Sequence, residues 1–372
     1  MVHEKSDAYN YDPVILLAVI LLIGIGLVAV YSASSILAQE KFGDHYYYLK
    51  RQAIFCLFGL LLMILAKNVN YLLYRRLVYF FLGSSLILLI LLLVPGIGYK
   101  VGGAQRWFRF GFISMQPSEA AKLSLAIFIA YSMSKNVENM RTFFHGLFPH
   151  LFVAAIFITL ILFQPDLGTA IIIGMWVLIL LFIGGVHLGQ LLVLLGLIAP
   201  VVFYLITQSA YRLHRWWAFL NPWEDPQGFG FQIIHSFLAF GSGGVFGVGL
   251  GRSKQKLFYL PEPHTDFIVS IIAEEIGFIG ISVLLILFSL VVIRGIKIAL
   301  NAPELFGTYL AMGISCMLAV QVIVNMGVVM ALLPTKGLTL PFISYGGSSL
   351  IVSLIGMGIL MNISKKTMVM AR

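Results

Sequence analysis

Carboxylates and a histidine stand where one of the most apolar stretches of the chain begins. His264, Thr265 and Asp266 directly precede a long apolar run, and two further carboxylates, Glu274 and Glu275, lie within it. At the start of a helix, a carboxylate such as Asp266 or a hydroxyl such as Thr265 can cap the free backbone N–H groups. Beside a substrate hydroxyl, the same carboxylate can act as a general base. The local sequence leaves both roles of Asp266 open.

The two inner carboxylates lie deeper along the same run. Glu274 follows Asp266 by eight residues, which is about 12 Å along a helix. Ionisable groups at such a depth usually face the protein interior or a wet cavity and contribute to function. We therefore expect Glu274 to contact a substrate and, with Glu275, to line or brace a cavity beneath Asp266. Pairing with a basic residue of another helix is the structural alternative.

A second polar group lies within residues 106–122. Glu119 and Lys122 are three residues apart, so they share a helical face. They form either an internal ion pair or, together with Arg106 and Arg109, part of a cationic cluster. Guanidinium groups bind phosphate oxygens through paired N–H donors. Such a cluster would suit a lipid-linked phosphate or pyrophosphate.

The remaining motifs favour structural roles. Asp166, in the stretch QPDLGTA, is typical of a turn former or a helix cap. The stretch GSGGVFGVGLGRSK at 241–254 lacks the lysine spacing of a nucleotide-binding loop, so close backbone packing or a re-entrant loop explains its glycines better. The eight histidines show no metal-binding spacing, and we expect no protein metal site from them.

The composition indicates which elements hold these side chains. Of the 372 residues, 60% are hydrophobic and 10% are charged, whereas about a quarter are charged in soluble proteins. Apolar runs of roughly 17 to 25 residues, long enough to cross a bilayer, recur along the chain. We predict an all-α integral membrane protein with one domain over residues 1–372. Ten transmembrane helices are expected near residues 13–35, 50–66, 77–95, 117–134, 146–164, 167–184, 190–208, 267–293, 305–332 and 345–364.

The connectors predict an orientation in the cytoplasmic membrane. Lys and Arg mark the short connectors on the side of the termini, which favours cytoplasmic termini. The longest connector, about residues 209–266, is then a large extracellular loop between spans seven and eight. Loops of this length usually have a function of their own. The net charge of +9 suits anionic lipid headgroups or an anionic substrate, and we expect no nucleic-acid partner.

Four stretches, in order along the chain, resemble one family. The resemblance is carried by NMGVVMALLPTKGLTLPFISYGGSSLI from Asn325, by LPEPHTDFIVSIIAEEIGFIG at 260–280, by AQRWFRFGFISMQPSEAAKLS at 104–124 and by FLNPWEDPQGFGFQ at 219–232. Together with ten predicted spans, they identify the chain as a member of the SEDS family (shape, elongation, division and sporulation). The segment LPTKG, which contains Lys336, looks most like the division members.

The resemblance implies a peptidoglycan glycosyltransferase that polymerises lipid II into β-1,4 glycan strands at the division septum. It also implies a class B penicillin-binding protein as partner, among other division proteins. The essential aspartate of the family falls on Asp266, expected as the general base of an inverting reaction. Mg²⁺ or Mn²⁺ could accompany the pyrophosphate, and no other cofactor is implied. The expected substrate-binding residues are Arg106, Glu119, Lys122, His264, Thr265, Glu274, Lys336 and Ser344.

Other functions remain compatible with the sequence. A lipid II flippase would use the same anionic lipid but needs binding groups on both membrane faces. A non-catalytic scaffold of the division machinery would work with Asp266 replaced. An elongation or sporulation paralogue would perform the same chemistry in another process.

Overall fold

The computed structural model describes residues 11–101, 104–111, 113–257 and 260–370, and these residues fold mainly into helices. The helices are α1 (Pro13–Phe42), α2 (Tyr47–Asn68), α3 (Leu72–Arg76), α4 (Val78–Leu91), α5 (Pro117–Lys135), α6 (Phe148–Phe163), α7 (Leu167–Ile183), α8 (Leu188–Thr207), α9 (Ala210–Leu220), α10 (Phe231–Gly243), α11 (Ile268–Leu300), α12 (Leu305–Val329) and α13 (Gly347–Met370). A π-helical turn (Phe143–Leu147) precedes α6.

A helix lies at each of the ten predicted membrane positions. Seven of these helices are long and apolar enough to cross a membrane: α1, α2, α6 with its π-helical turn, α8, α11, α12 and α13. Two more, α4 and α7, are apolar but shorter, and α5 is the most polar of the ten because it carries Glu119 and Lys122. The predicted helical membrane class is confirmed. The count of ten spans, the side on which the long loop lies and the single domain stay predictions.

A small antiparallel sheet interrupts the helical fold between α4 and α5. Its strands are β1 (Tyr99–Val101), β2 (Ala104–Phe110) and β3 (Ile113–Met115), in the order β1-β2-β3. Sequence analysis did not predict this sheet, because two of its three strands have only three residues each. The central strand carries Arg106 and thereby fixes its position beside the turn between α6 and α7.

The long connector is largely ordered into helices rather than an irregular loop. It contains α9, a 3-10 turn (Pro222–Glu224) and α10. Between the last two, the Asp225 carboxylate accepts a hydrogen bond of 2.9 Å from Phe229 N, and the backbone N–H of Gly230 donates to Asp225 O. These bonds fold the GFGF segment back towards α9.

The glycine-rich segment after α10 packs its backbone against a break in α11. Gly277 has φ 73° and ψ −162°, a conformation open only to glycine, and it splits α11 into two parts. Backbone bonds bridge the break, from Val248 N to Glu274 O (2.9 Å) and from Phe278 N to Gly244 O (2.9 Å). In a membrane, backbone groups freed by a broken helix need such partners. The expectation of close backbone packing is therefore confirmed.

The start of α1 and the last turns of α13 meet at one end of the helix bundle. Asp12 caps α1 by accepting from Val14 N at 2.9 Å, and its own N–H donates to Ser364 Oγ at 3.1 Å. Arg294, near the end of α11, lies 3.6 Å from the Asp12 carboxylate. The start of α1 and the last turns of α13 thus share one end, as an even number of spans requires.

Replacing Gly277 with alanine should destabilise the protein. Its Cβ would collide with Gly247 N and Val245 O, and the backbone conformation alone costs roughly 1–3 kcal/mol for a residue other than glycine. We expect a lower midpoint of thermal unfolding in detergent, measured from the folded fraction on size exclusion after heating.

Gly24→Ala is the matched control, because Gly24 lies inside α1 with no atom within 4 Å of an added Cβ. That change should leave the midpoint unchanged or raise it slightly, since alanine favours helix over glycine. Equal midpoints for Gly277→Ala and the wild type would contradict the broken-helix conformation.

Candidate active site

Asp266 lies in the last turn of the long connector, directly before α11, and does not cap that helix. Phe267 is the N-cap residue and makes no side-chain cap, while the Thr265 hydroxyl donates to Glu262 O at 3.1 Å. The predicted capping role of Asp266 or Thr265 is therefore wrong. Within the described part of the chain, no group donates a hydrogen bond to the Asp266 carboxylate. That carboxylate is available for a bound molecule.

Residues 335–338, between α12 and α13, pack over Asp266. Asn325 of α12 holds the two segments together, because its side-chain N–H₂ donates to Asp266 O at 3.3 Å and to Leu338 O at 2.6 Å. A Cβ at Gly337 would lie 2.9 Å from Asp266 Oδ2. Sequence analysis assigned no role to Asn325 or Gly337. The signal for Asn325 was an amide near the end of a largely apolar helix.

The surroundings of Asp266 make its carboxyl group harder to ionise than a free carboxyl group. Burial raises the pKa of the Asp266 carboxyl to about 7, and the negative charge of Glu262 raises it further. The guanidinium of Arg215, on α9, acts in the opposite direction. A carboxyl group with a pKa near the working pH can both accept and release a proton efficiently.

The amine of Lys336 lies directly against the backbone of α7 at Gly168. A Cβ at Gly168 would coincide with the Lys336 side chain, so only glycine leaves room for it. The amine lies 3.8 Å from Asp166 Oδ1 and has no hydrogen-bond partner among the described residues. Burial lowers the pKa of Lys336 to about 8, while Asp166 acts to raise it. An ammonium group that is buried, makes no hydrogen bond and has only this one loose ion pair is suited to binding an anionic group.

Three arginines surround this amine. Arg106 Nε donates to Gln164 O at 3.2 Å and lies 3.8 Å from Asp166 Oδ2, and its terminal nitrogen donates to Pro165 O. Arg215 donates to Thr335 O at 3.2 Å. Together with Arg212, both arginines lower the pKa of Lys336 by charge repulsion. The cationic cluster is defined as these residues and the one carboxylate among them: Arg106, Arg212, Arg215, Lys336 and Asp166.

Asp166 holds the centre of the cationic cluster by capping α7. Its carboxylate accepts from Thr169 N at 3.2 Å and from the Thr169 hydroxyl at 2.9 Å. The turn or cap predicted for Asp166 is confirmed. The prediction missed its position beside Lys336, because that contact joins residues far apart in the sequence. Arg109, grouped with Arg106 in the sequence, instead lies exposed over the Tyr99 ring at 5.0 Å.

Glu119 and Lys122 form a buried ion pair apart from the cationic cluster. Their charged atoms are 2.8 Å apart, and the pair lines a cavity of about 50 Å³ between α5, α12 and α13. The predicted internal ion pair is confirmed. The structure gives no contact between this pair and Arg106 among the described residues, so the predicted joint cluster does not form.

His264 and Ser344 hold the protein framework behind the site. His264 is buried between the rings of Tyr48 and Tyr345, and burial lowers the pKa of its imidazole to about 4. The Ser344 hydroxyl accepts from Leu340 N at 2.8 Å and is itself buried. The predicted substrate contact of Ser344 is not supported, because its oxygen is engaged in folding the turn before α13.

Glu274 and Glu275 anchor the long connector to α11. The Glu274 carboxylate accepts from Lys254 N at 2.9 Å, from Gln255 N at 3.3 Å and from the Ser253 hydroxyl. Glu275 pairs with Lys256 at 2.9 Å. The predicted substrate contact of Glu274 is therefore corrected: its oxygens are already occupied by the protein. The predicted bracing role is observed, and Glu275 has a basic partner as the structural alternative expected. That partner, Lys256, lies in the connector and not on another span.

The acidic side chains at the site do not form a complete metal site. In the described segments, no group of three His, Cys, Asp or Glu side chains could hold an ion. Asp166 is also engaged by Thr169 and flanked by cations. An ion at this site would take most of its oxygen ligands from a bound pyrophosphate and from water.

Comparison with known proteins gives matches over nearly the whole chain. The family model of FtsW, RodA and SpoVE, described as cell cycle protein, matches residues 13–369. A Geobacter metallireducens protein named probable peptidoglycan glycosyltransferase FtsW is 48% identical, covering 97% of this chain and 96% of that protein. Stage V sporulation protein E of Bacillus subtilis is 44% identical, covering 95% and 97%.

A solved structure gives the same result for the fold. It is described as structural coordination of polymerization and crosslinking by a peptidoglycan synthase complex. One of its chains is 32% identical, with a TM-score of 0.79 over 96% of this chain and 98% of that one. These matches agree with the motifs that indicated a SEDS protein, and the chain belongs to the FtsW/RodA/SpoVE family of cell cycle proteins.

Proposed function

We propose that this protein is the peptidoglycan glycosyltransferase of cell division and polymerises lipid II at the outer face of the cytoplasmic membrane. One observation carries the proposal: the carboxylate of Asp266, which accepts no hydrogen bond from the described residues, lies against the segment that holds Lys336. The buried amine of Lys336 makes no hydrogen bond to those residues either. The first group suits proton removal from a sugar hydroxyl. The second suits a phosphate oxygen of a lipid-linked donor.

In the proposed reaction, Asp266 acts as the general base. Its carboxylate takes the proton of the acceptor 4-hydroxyl while that oxygen attacks C1 of the donor sugar. The bond between C1 and the phosphate oxygen breaks, and the electron pair leaves with undecaprenyl pyrophosphate. Attack opposite the leaving group converts the α-linked donor into a β-1,4 product, so no second, nucleophilic carboxylate is needed.

The cationic cluster stabilises the leaving group in this proposal. Negative charge grows on the pyrophosphate as the C1–O bond breaks, and fixed positive groups stabilise it most effectively in a site of low dielectric constant. Residues 335–337 link Lys336 and Arg215 to Asp266, because Gly337 lies against the Asp266 carboxylate and Arg215 donates to Thr335 O. Arg106 approaches the Asp166 oxygen that Lys336 does not approach. A Mg²⁺ or Mn²⁺ ion carried by the pyrophosphate would supply further positive charge.

The partner is proposed to be a class B penicillin-binding protein within the division machinery. The similar chain of known structure comes from a complex of polymerization and crosslinking. A crosslinking partner needs strands delivered on its own side of the membrane. We therefore place the termini in the cytoplasm, the long connector outside and the protein at the septum.

Replacing Asp266 with asparagine should abolish strand formation while leaving the protein folded. Asparagine keeps the side-chain shape but cannot take the proton, and a general base contributes typically 10²–10⁴-fold to the rate. The measurement is glycan formation from fluorescent lipid II by the purified protein with its cognate class B penicillin-binding protein.

The matched control is Glu224→Gln, which neutralises an exposed carboxylate of the same connector and should retain wild-type activity. Polymer from Asp266→Asn would show that the base lies elsewhere. If the wild type binds lipid II without forming polymer, a vesicle assay of lipid II translocation tests the flippase alternative.

The activity should depend on pH through Asp266. Only the deprotonated carboxylate is a base and only the protonated amine of Lys336 is a cation, so kcat/KM should fall about tenfold per pH unit below pH 7 and fall again above about pH 8. Glu262→Gln removes the negative charge that raises the pKa of Asp266, and it should shift the acidic limb to lower pH. A pH profile that is flat between pH 5 and 8 would contradict the assignment.

Replacing Gly168 with alanine should inactivate the protein by displacing Lys336. The added methyl group would occupy the position of the amine, and loss of one fixed positive group in such a site costs about 10²–10³-fold in kcat. Gly174→Ala in the same helix is the control, because the nearest atom to its Cβ is 3.9 Å away. Equal activity of Gly168→Ala and Gly174→Ala would show that the reaction does not depend on the position of the Lys336 amine against Gly168.

A further inference from the structure

A second cavity opens in the long connector and shares only Arg215 with the cationic cluster. Its volume is about 380 Å³, within the range of about 300–1,000 Å³ typical of small-molecule sites. Three segments of the connector converge on it: α9 through Arg215, the first turn of α10 with the residues before it, and the stretch leading to Asp266 through Pro261. None of the functional assignments above uses this cavity.

The lining of this connector cavity combines aromatic rings with amides. Phe229 and Phe231 are half-buried, and Gln227 and Gln232 present side-chain amides that can donate and accept hydrogen bonds. Arg215 is the only charged side chain among the described residues that line it. Rings that pack on an apolar face, together with amides that bond hydroxyl and acetamido groups, suit an uncharged saccharide. They suit a pyrophosphate poorly.

The rings are fixed by contacts within the connector. Phe229 stacks on His214 at a centroid distance of 5.4 Å and meets Tyr211 edge-on at 5.6 Å. Phe231 packs against His235 at 4.1 Å. Aromatic platforms held in this way lose little conformational entropy when a ligand binds.

The connector cavity adjoins the proposed base. Pro261 precedes Asp266 by five residues, and a turn with the bond Thr265 N to Glu262 O (3.2 Å) shortens the path between them. Arg215 lines the cavity, bonds Thr335 O and acts on the pKa of Asp266. The cavity and the cationic cluster therefore share Arg215, whose charge acts on the Asp266 carboxyl group.

We propose that the connector cavity binds the terminal saccharide of the acceptor, with its 4-hydroxyl directed towards Asp266. This inference rests on the proposed glycosyltransferase function. It assigns the acceptor and the donor to different sites according to their chemistry. The uncharged end of the acceptor occupies the aromatic and amide cavity. The pyrophosphate of the donor occupies the cationic cluster around Lys336.

The test uses one lipid II derivative that can act only as donor and one that can act only as acceptor, so that each reaction forms one glycosidic bond. Lipid II with its N-acetylglucosamine 4-hydroxyl capped can act only as donor. A lipid II analogue with a non-cleavable methylene phosphonate at C1 can act only as acceptor. Each is titrated against a saturating amount of the other, with wild type, Gln232→Ala and Phe231→Ala.

Both cavity variants should raise the half-saturating acceptor concentration about tenfold, the effect of losing one good hydrogen bond or ring contact. The half-saturating donor concentration should stay within twofold. Phe237→Ala is the control, since Phe237 is exposed on the same helix α10 and does not line the cavity. An unchanged acceptor value, or a raised donor value, would overturn the proposal.

A binding measurement covers the case in which no bond forms even with wild type. The fluorescent acceptor analogue is titrated into the protein in nanodiscs and followed by anisotropy. Weaker binding to Gln232→Ala than to Phe237→Ala would support the saccharide site although the glycosyltransferase proposal had failed. Equal binding to both would overturn the site itself. Gln232→Ala removes only a partly exposed amide, so it tests the cavity even if Phe231→Ala unfolds.

Discussion

The packing of residues 335–338 over Asp266 is the contact on which the rest of the site depends. One amide, Asn325, bonds both segments, and Gly337 leaves just enough space for the carboxylate. This packing buries the carboxyl group, which raises its pKa, and it carries Lys336 across to α7. The proposed base and the proposed anion-binding amine are therefore positioned by the same short segment.

Within the cationic cluster, neither Lys336 nor Arg106 forms a close ion pair with the single carboxylate, Asp166. Lys336 and Arg106 each approach Asp166 at 3.8 Å, longer than a hydrogen bond, because Thr169 already engages that carboxylate. The net positive charge of the cluster is thus left for a ligand. By contrast, Glu119 and Lys122 pair at 2.8 Å and leave little free charge inside the membrane layer, where an unpaired charge is costly.

Much of the fold and part of the site could be predicted from the sequence. Apolar runs gave a helix at each of the ten expected positions, and the polar residues directly before the apolar run from Phe267 drew attention to Asp266. The meeting of Lys336 with Gly168 and Asp166 could not be predicted, because it depends on the packing of α7 against a loop some 170 residues away. The contacts of Glu274 and Ser344 could not be predicted for a related reason. Apart from the Ser253 hydroxyl, which donates to Glu274, their partners are backbone N–H groups, which every residue but proline carries and which no motif reveals.

The break at Gly277 makes the upper part of α11 mechanically continuous with the connector and less so with the rest of its own helix. Glu274 and Glu275 fasten residues 253–256 to the turns just above the break, and Asp266 sits at the top of the same short segment. Residues 253–256 are therefore coupled to the segment that begins directly after Asp266. The lower part of α11 is in addition held through Arg294 and Asp12 at the other end of the bundle.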